Sequence, residues 1–283
     1  MDISVITPFY KGNAYMEGLF SCIRSCALKA KDLSVELVLV NDSPGCPIEY
    51  DPAWVEGFTL QIVENAQNGG IHRSRINGLA AATGEYIQFL DQDDLLAPET
   101  FASQYPLAKD YDVVIANGFD QNPHNYGPIY KSQAHQAQAA TPRFYVTVGN
   151  QIISPGHTLI RKSAIPRSWC DCVISRNGSD DLLLWLMMFA EKARFTVNPA
   201  QLYTHVDTGA NVSADVKKML ASSQEVLELL QKEGMICKKN SRKFRRSRAL
   251  ARHYVGKSKL QKLFALALYP DVALERMALQ AKK

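Results

Sequence analysis

Tyr86–Leu96 reads YIQFLDQDDLL. Its first half is apolar and β-favouring at Tyr86, Ile87, Phe89 and Leu90; Asp91, Asp93 and Asp94 then arrive within four residues. Apolar residues on both sides of the alternation predict a strand buried on both faces. An unpaired carboxylate is costly inside such a strand, so the acids belong where it emerges, at its carboxyl end. Open α/β sheets bind their ligands at that edge. Three acids this close repel one another unless a cation holds them. A hard divalent ion such as Mg2+ or Mn2+, itself bridged to phosphate, suits oxygen donors of this kind. Taken alone, the motif also reads as a solvated acidic turn capping the helix that starts near Pro98.

The preceding sequence repeats the arrangement. Ile3–Thr7 is a predicted strand ended by Pro8, which cannot donate to a central ladder. A helix follows from about Ala14 to Ala30, with Leu19, Ile23 and Ala27 on one face. Val35–Val40 is a second buried strand that ends in Asn41-Asp42-Ser43 before the turn formers Pro44-Gly45. A shorter strand, Leu60–Glu64, leads through the loop Asn65–Gly70 into a helix over Ile71–Thr83, with Gly84 as its C-cap. Strands alternating with helices predict βαβ units and a parallel sheet. Each main strand delivers polar residues at its carboxyl end: Thr7, then Asp42, then Asp91–Asp94. Neither G-x-G-x-x-G nor G-x-x-x-x-G-K-[ST] occurs at the required place, which argues against a dinucleotide or P-loop site.

Further along, Phe101–Lys109 is a predicted helix and Tyr111–Ala116 another buried strand. Phe119–Thr141 is polar, aromatic and interrupted by Pro and Gly, and is expected to be a mobile loop region with room for short strands. Asn177–Asp181 is a second acidic cluster, heading an apolar helix that starts at Leu182. Phe195–Asn198 and Leu202–His205 are predicted short strands, Val206–Ser213 a loop that closes over a ligand, and Ala214–Glu233 an amphipathic helix.

The 283 residues suffice for a large core, and 46% hydrophobic with 21% charged residues is ordinary for a globular protein. No apolar run approaches the length of about 20 needed to span a bilayer, and MDISVITPFY reads as a strand rather than a signal peptide. Six cysteines without C-x2-C spacing predict reduced, packed thiols in a cytoplasmic protein. The net charge of +4 hides an asymmetry: Lys238–Lys262 holds eleven Lys/Arg and no acid, leaving 21 basic against 28 acidic residues elsewhere. Phe244, Leu250, Tyr254 and Val255 interleave these cations, a pattern that suits a helix lying on anionic lipid at the inner face of a membrane. Nucleic acid competes for such charges, and a solvated helical face is the plainest alternative.

Four segments in order, ITPFYKG, VLVNDSPG, NGGIHRSRINGLAAATGEYIQFLDQDD and NGSDDLLLW, resemble the family 2 glycosyltransferases with a GT-A fold. The resemblance covers about Ile3 to Ser213. It implies an α/β, Rossmann-like, mostly parallel central sheet flanked by helices over residues 1–213, with a helical basic extension over 214–283. The implied chemistry moves a sugar, with inversion, from a nucleotide sugar to a hydroxyl of a saccharide or lipid-linked saccharide. The implied donor is UDP-linked, the cofactor Mn2+ or Mg2+, and the setting bacterial surface-polysaccharide synthesis (O-antigen, capsule or lipopolysaccharide); a lipid-linked acceptor favours an anionic membrane over nucleic acid as the partner of Lys238–Lys262.

By the same resemblance, Thr7, Pro8 and Tyr10 line the base and ribose, and Asp42 hydrogen-bonds the uracil or ribose. Asn68 and Gly69 lie over the nucleotide, while Arg75 and Asn77 fall where the family's A-R-N-x-G stands, here S-R-I-N-G. Asp91, Gln92 and Asp93 form the D-x-D signature, with Asp93 on the metal and Asp91 nearer the ribose or sugar. Asp181 matches the second acid of the family's E-D pair, the catalytic base, with Asp180 replacing Glu. His205, in Y-T-H where Y-R-x-H is common, is a metal or diphosphate ligand. Ser154–His157 faces the sugar and acceptor, and His157 is either a participant or a structural loop histidine.

Charge arithmetic points the same way. A diphosphate in an acidic site needs a cation, which also stabilises the departing group, and Arg75 adds a fixed planar donor fork. Two other classes remain open on sequence. One is a nucleotide-sugar hydrolase or nucleotidyltransferase. The other is a non-catalytic carbohydrate- or nucleic-acid-binding module, against which the two acidic clusters argue.

Overall fold

The structure, a computed structural model, describes residues 1–122, 125–209, 215–254 and 258–280. Strands β1 (Ile3–Phe9), β2 (Val35–Asn41) and β4 (Tyr86–Phe89) are buried almost throughout, as two-sided apolar strands must be; β3 (Thr59–Glu64) is the half-exposed edge. These four run parallel in the order β3-β2-β1-β4. The sheet continues through β8 (Thr158–Arg161), β6 (Val113–Asn122), β9 (Phe195–Val206) and β5 (Leu95–Leu96), with β7 (Asn125–Pro128) paired on β6.

This second half departs from the expected mostly parallel sheet. β8 is antiparallel to both β4 and β6, and β5 is antiparallel to β9, while β6 and β9 are parallel. The reason is local. The turn Pro155–His157 precedes β8 at the carboxyl end of β4, where the Gln88 amide donates to the Gly156 carbonyl at 2.6 Å, so β8 enters the sheet from that edge and runs back. The two short strands expected over 195–205 are one strand, β9, with irregular pairing opposite Ala116–Gly118. The expected loop 119–141 contains the end of β6, β7 and the short helix α4 (Gln133–Ala137). Residues 123–124 of that region, 210–214 of the expected closing loop, Val255 and Lys257 lie outside the described residues.

Contacts divide the chain into two compact units that interleave along the sequence. The first comprises Met1–Tyr130, Ile152–Ile165 and Ala193–Gly209. It holds the whole sheet with α1 (Met16–Lys29), α2 (Gly70–Ala81) and α3 (Thr100–Ala108). Leu19, Ile23, Cys22 and Cys26 of α1 are buried in its core. Two glycines set how closely its layers approach. A Cβ on Gly78 would stand 2.3 Å from Ile6 Cγ2 and 3.0 Å from Val40 Cγ2, so the missing side chain lets α2 lie directly on β1 and β2. Gly84 is not the helix cap: α2 ends at Ala81 with Ala82 as an extended C-cap. A Cβ on Gly84 would meet the Ser4 backbone nitrogen at 2.5 Å.

Glu36, inside β2, breaks the apolar rule and is satisfied for it. Its Oε1 accepts from Ser4 Oγ (2.5 Å), the Thr83 N–H (2.6 Å) and Thr83 Oγ1 (2.9 Å). Burial opposes its ionisation, but these donors hold its carboxyl below the ordinary range. The residue therefore ties the connection after α2 to the amino end of the sheet, opposite the acids.

The second unit comprises Lys131–Gln151, Pro166–Lys192 and Ala210–Lys283 and is helical. After α4 it contains α5 (Pro142–Thr147), α6 (Arg167–Asp171), α7 (Asp180–Ala190), α8 (Val216–Lys232), α9 (Lys238–Tyr254), α10 (Lys259–Leu268) and α11 (Pro270–Gln280). Among the described residues no helix is long and apolar enough to cross a membrane. α9 carries most of the basic segment, and its apolar residues are used internally: Phe244 and Leu250 are buried. Arg248 is buried as well, stacked over the Phe244 ring and donating to the Tyr145 carbonyl at 3.2 Å, and burial lowers its pKa to about 10. Lys243 pairs with Glu275 at 2.6 Å and Arg246 with Asp271 at 2.5 Å. The interleaved apolar pattern thus marks a packed helix face. Lys238, Lys239, Arg242, Arg245 and Arg252 remain exposed.

Candidate active site

Three loops leave the carboxyl edge of the parallel strands, and backbone-directed bonds knit them together. The Asp42 N–H donates to the Phe9 carbonyl at 2.8 Å, and the Lys11 N–H donates to Ser43 Oγ at 2.8 Å. Lys11 takes a left-handed φ of 50° to make the turn. Gln92 pairs its side-chain amide with the Tyr10 backbone, accepting from the N–H at 3.0 Å and donating to the carbonyl at 3.3 Å. Within this frame Tyr10 is exposed and Pro8 half-buried, whereas Thr7 is wholly buried. The Thr7 hydroxyl has no hydrogen-bond partner among the described residues.

Asp42 is the staple of the loop before α2. Its Oδ1 accepts from the Gly69 N–H (2.7 Å) and the Asn65 amide (2.8 Å), and its Oδ2 accepts from the Gly70 N–H (2.9 Å). A carboxylate at a helix amino end satisfies N–H groups the helix leaves open and meets the favourable end of its dipole. The Asn68 amide adds a bond to the Asp42 carbonyl at 3.2 Å. Asn65 also donates to Ser74 Oγ (3.0 Å) and accepts from the Asn77 amide (2.7 Å). Asp42, Asn68, Gly69 and Asn77 therefore belong to one polar network.

The acids are three different groups. Asp91 accepts from the buried Arg75 guanidinium at 2.6 Å and meets Ser154 Oγ at 3.5 Å. Asp94 is 1% exposed, and both of its oxygens are engaged. Oδ2 accepts from the Tyr203 hydroxyl; Oδ1 accepts from the Val206 N–H at 3.0 Å and faces His205 Nδ1 at 3.1 Å. Asp93 has no arginine or lysine ion pair among the described residues. Burial, then the charges of Asp94 and Asp91, push its carboxyl up to about 6. Burial alone would lower the His205 pKa, but the bond to Asp94 and the charges of Asp94, Asp120 and Asp91 carry it up to about 9.

These donors fit a divalent cation in part. The group is rich in hard oxygens and short of positive charge at Asp93, yet among the described residues no three His, Cys, Asp or Glu side chains converge on one point. An ion here would complete its shell with oxygens that arrive with a ligand, as magnesium-type ions on phosphates do.

His157 packs inside the first unit. It is fully buried, its Nδ1 lies 2.8 Å from the Ala116 carbonyl, and its ring stacks on Tyr203 at 5.4 Å. Burial lowers its pKa to about 4, so the ring is neutral and donates through Nδ1. Asp181 lies in the second unit, in the first turn of α7. Its Oδ2 accepts from the Asn150 amide at 2.6 Å, and its Oδ1 from the Leu182 N–H at 2.7 Å. Sequence reasoning gave no separate role to Asn65, Asp94 or Tyr203. Asp94 was visible as the fourth letter of D-x-D-D, but its partners stand 109 and 111 positions away.

A parallel sheet edge with an acidic cluster after β4 is the arrangement of an open α/β sheet that binds its ligand at the carboxyl ends of its strands, here in the GT-A fold. The glycosyl transferase family 2 model matches residues 4–169, and the chain belongs to that family. Among curated relatives, the minor teichoic acid biosynthesis protein GgaB of Bacillus subtilis is 36% identical over 102 residues, which is 35% of this chain and 11% of GgaB. The matches span less than half the length of each such relative. Among solved structures, S. aureus TarS 1-349 in complex with UDP-GlcNAc aligns with a TM-score of 0.65 at 19% identity, covering 100% of this chain and 84% of that one. The mannosyltransferase PcManGT of Pyrobaculum calidifontis, in complex with GDP-Man and Mn2+, aligns with a TM-score of 0.55 at 18% identity, covering 99% and 84%.

Proposed function

We propose that the chain transfers a sugar from a nucleotide-sugar donor, UDP-linked, to an acceptor hydroxyl. The observation that carries this reading is the acid cluster after β4: the buried Arg75 is already paired with Asp91, while Asp93, partly buried near Asp94 and Asp91, has no arginine or lysine ion pair among the described residues. A carboxylate so placed favours a divalent cation, and a diphosphate supplies the remaining oxygens. When bound, the ion balances charge on the leaving diphosphate. Asp91, Gln92 and Asp93 with His205 would hold the ion, ribose and diphosphate. Thr7, Pro8, Tyr10, Asp42, Asn68, Gly69, Arg75 and Asn77 would build the nucleotide side. Arg75 orients Asp91, and the Asp42 network keeps the α2 amino end in place. Asp181 is proposed as the general base on the family pattern, which makes the reaction a direct displacement with inversion; a product of retained configuration would exclude that role.

The likeness to GgaB, named for minor teichoic acid biosynthesis, supports a setting in bacterial surface-polysaccharide assembly. The exposed cations of α9 support contact with an anionic membrane surface during action on a lipid-linked acceptor. The deciding experiment is calorimetric titration of UDP with and without Mn2+ into wild type and Asp93→Ala. Metal-dependent binding that disappears in the variant is the expected result. Absence of binding with any metal would reject the assignment of the acids.

A further inference from the structure

Asp94 is the most enclosed of the three acids, and it faces neither the loop after β1 nor Arg75. It faces β9. The Tyr203 hydroxyl and the Val206 N–H reach its two oxygens from either side of His205, and Oδ1 meets the imidazole at Nδ1. Tyr203 is itself fixed, stacked on His157, whose Nδ1 is anchored on the Ala116 carbonyl. The chain of contacts runs from β6 through His157, Tyr203 and Asp94, all buried, to the partly buried His205.

We propose that Asp94 is a positioning residue that sets cation affinity without touching the cation. Its carboxylate engages His205 Nδ1, so Nε2 is the only ring nitrogen through which His205 can ligate, and the cation displaces the Nε2 proton to solvent on binding. It also fixes the ring plane and raises the electron density at Nε2, the usual action of a carboxylate behind a ligating histidine. Tyr203 keeps that carboxylate from turning. The acid that looks like a third ligand in D-Q-D-D thus serves the histidine 111 residues later rather than the ion. This inference rests on the reading of the site as a metal-dependent nucleotide site.

The test is Mn2+ binding in the presence of saturating UDP, followed by electron paramagnetic resonance and calorimetry, with metal-free UDP affinity and melting temperature measured alongside. Asp94→Asn keeps shape and removes the charge. It is expected to weaken Mn2+ roughly 10- to 100-fold, to leave metal-free UDP affinity unchanged, and to add no further loss in a His205→Ala background. Tyr203→Phe, which retains the ring stack, is expected to weaken Mn2+ several-fold and serves if Asp94→Asn does not fold. Wild-type Mn2+ affinity in both folded variants, with binding still abolished by Asp93→Ala, would overturn the positioning role while the site reading stands. Fully additive losses in Asp94→Asn/His205→Ala would also overturn it, because the acid would then act by a route other than the histidine. Lack of metal-dependent UDP binding in wild type would overturn both.

Discussion

At the scale of single residues, histidines in the same neighbourhood are driven in opposite directions by their surroundings. His157 lies among apolar and aromatic groups and stays neutral down to about pH 4, whereas His205, beside Asp94, holds a proton up to about pH 9. The first has a consequence for stability. An unfolded histidine binds a proton near pH 6.5, and folded His157 only near pH 4, so between these values the unfolded state binds more protons and stability falls as pH is lowered. The full effect is on the order of 3 kcal/mol. Asp93 works the other way over an overlapping range, since its raised pKa makes the folded state bind the extra proton. The two are separated by comparison with His157→Phe: urea unfolding between pH 7 and pH 4.5 should show the wild type losing stability relative to the variant as acidity increases. A constant difference across that range would mean that His157 does not titrate as its burial requires.

At the scale of elements, the acids after β4 were legible because four apolar residues followed by three carboxylates admit few placements in a buried sheet. The alternation of β1, α1, β2 and α2 was legible from periodicity and loop chemistry alone. The mixed second half of the sheet was not, because β8 owes its direction to a turn at Pro155–His157 that pairs with Gln88, a contact 68 residues long in sequence. The same limit hid the work of Asp42, whose bonds to Gly69 and Gly70 cross 27 and 28 residues. Gly78 joins the two levels. As the last letter of S-R-I-N-G it reads as a loose family signature; in the fold it is the point where α2 touches Ile6 and Val40. Gly78→Ala should cost about 1–3 kcal/mol by overpacking. It should also weaken UDP binding, because Arg75 and Asn77 ride on the same helix. Urea denaturation and UDP titration of the variant check both, and wild-type values in each would show that the helix has room to spare.

At the scale of the whole molecule, charge is distributed by unit. The basic segment lies in the helical unit, where Glu275 and Asp271 of α11 take up Lys243 and Arg246 and the core takes Arg248. Any surface role therefore falls to the exposed remainder. Co-sedimentation with anionic vesicles at low salt should be reduced by Arg242→Glu with Arg245→Glu and should fade as salt screens the attraction. Equal recovery on neutral vesicles would rule out an electrostatic contact. The order of strands also bears on synthesis. Among the described residues β9 is the strand latest in the chain, yet it lies between β6 and β5, and it brings Tyr203 and His205 to Asp94. A nascent chain must therefore carry its acid turn without these partners for more than a hundred residues, roughly 6 to 22 seconds at usual elongation rates. From the moment β6 is made until β9 follows it, β6 presents an open edge of the kind that recruits other strands. Newborn copies are thus most exposed to misassembly after the nucleotide-side loops exist and before the sheet that serves them is closed.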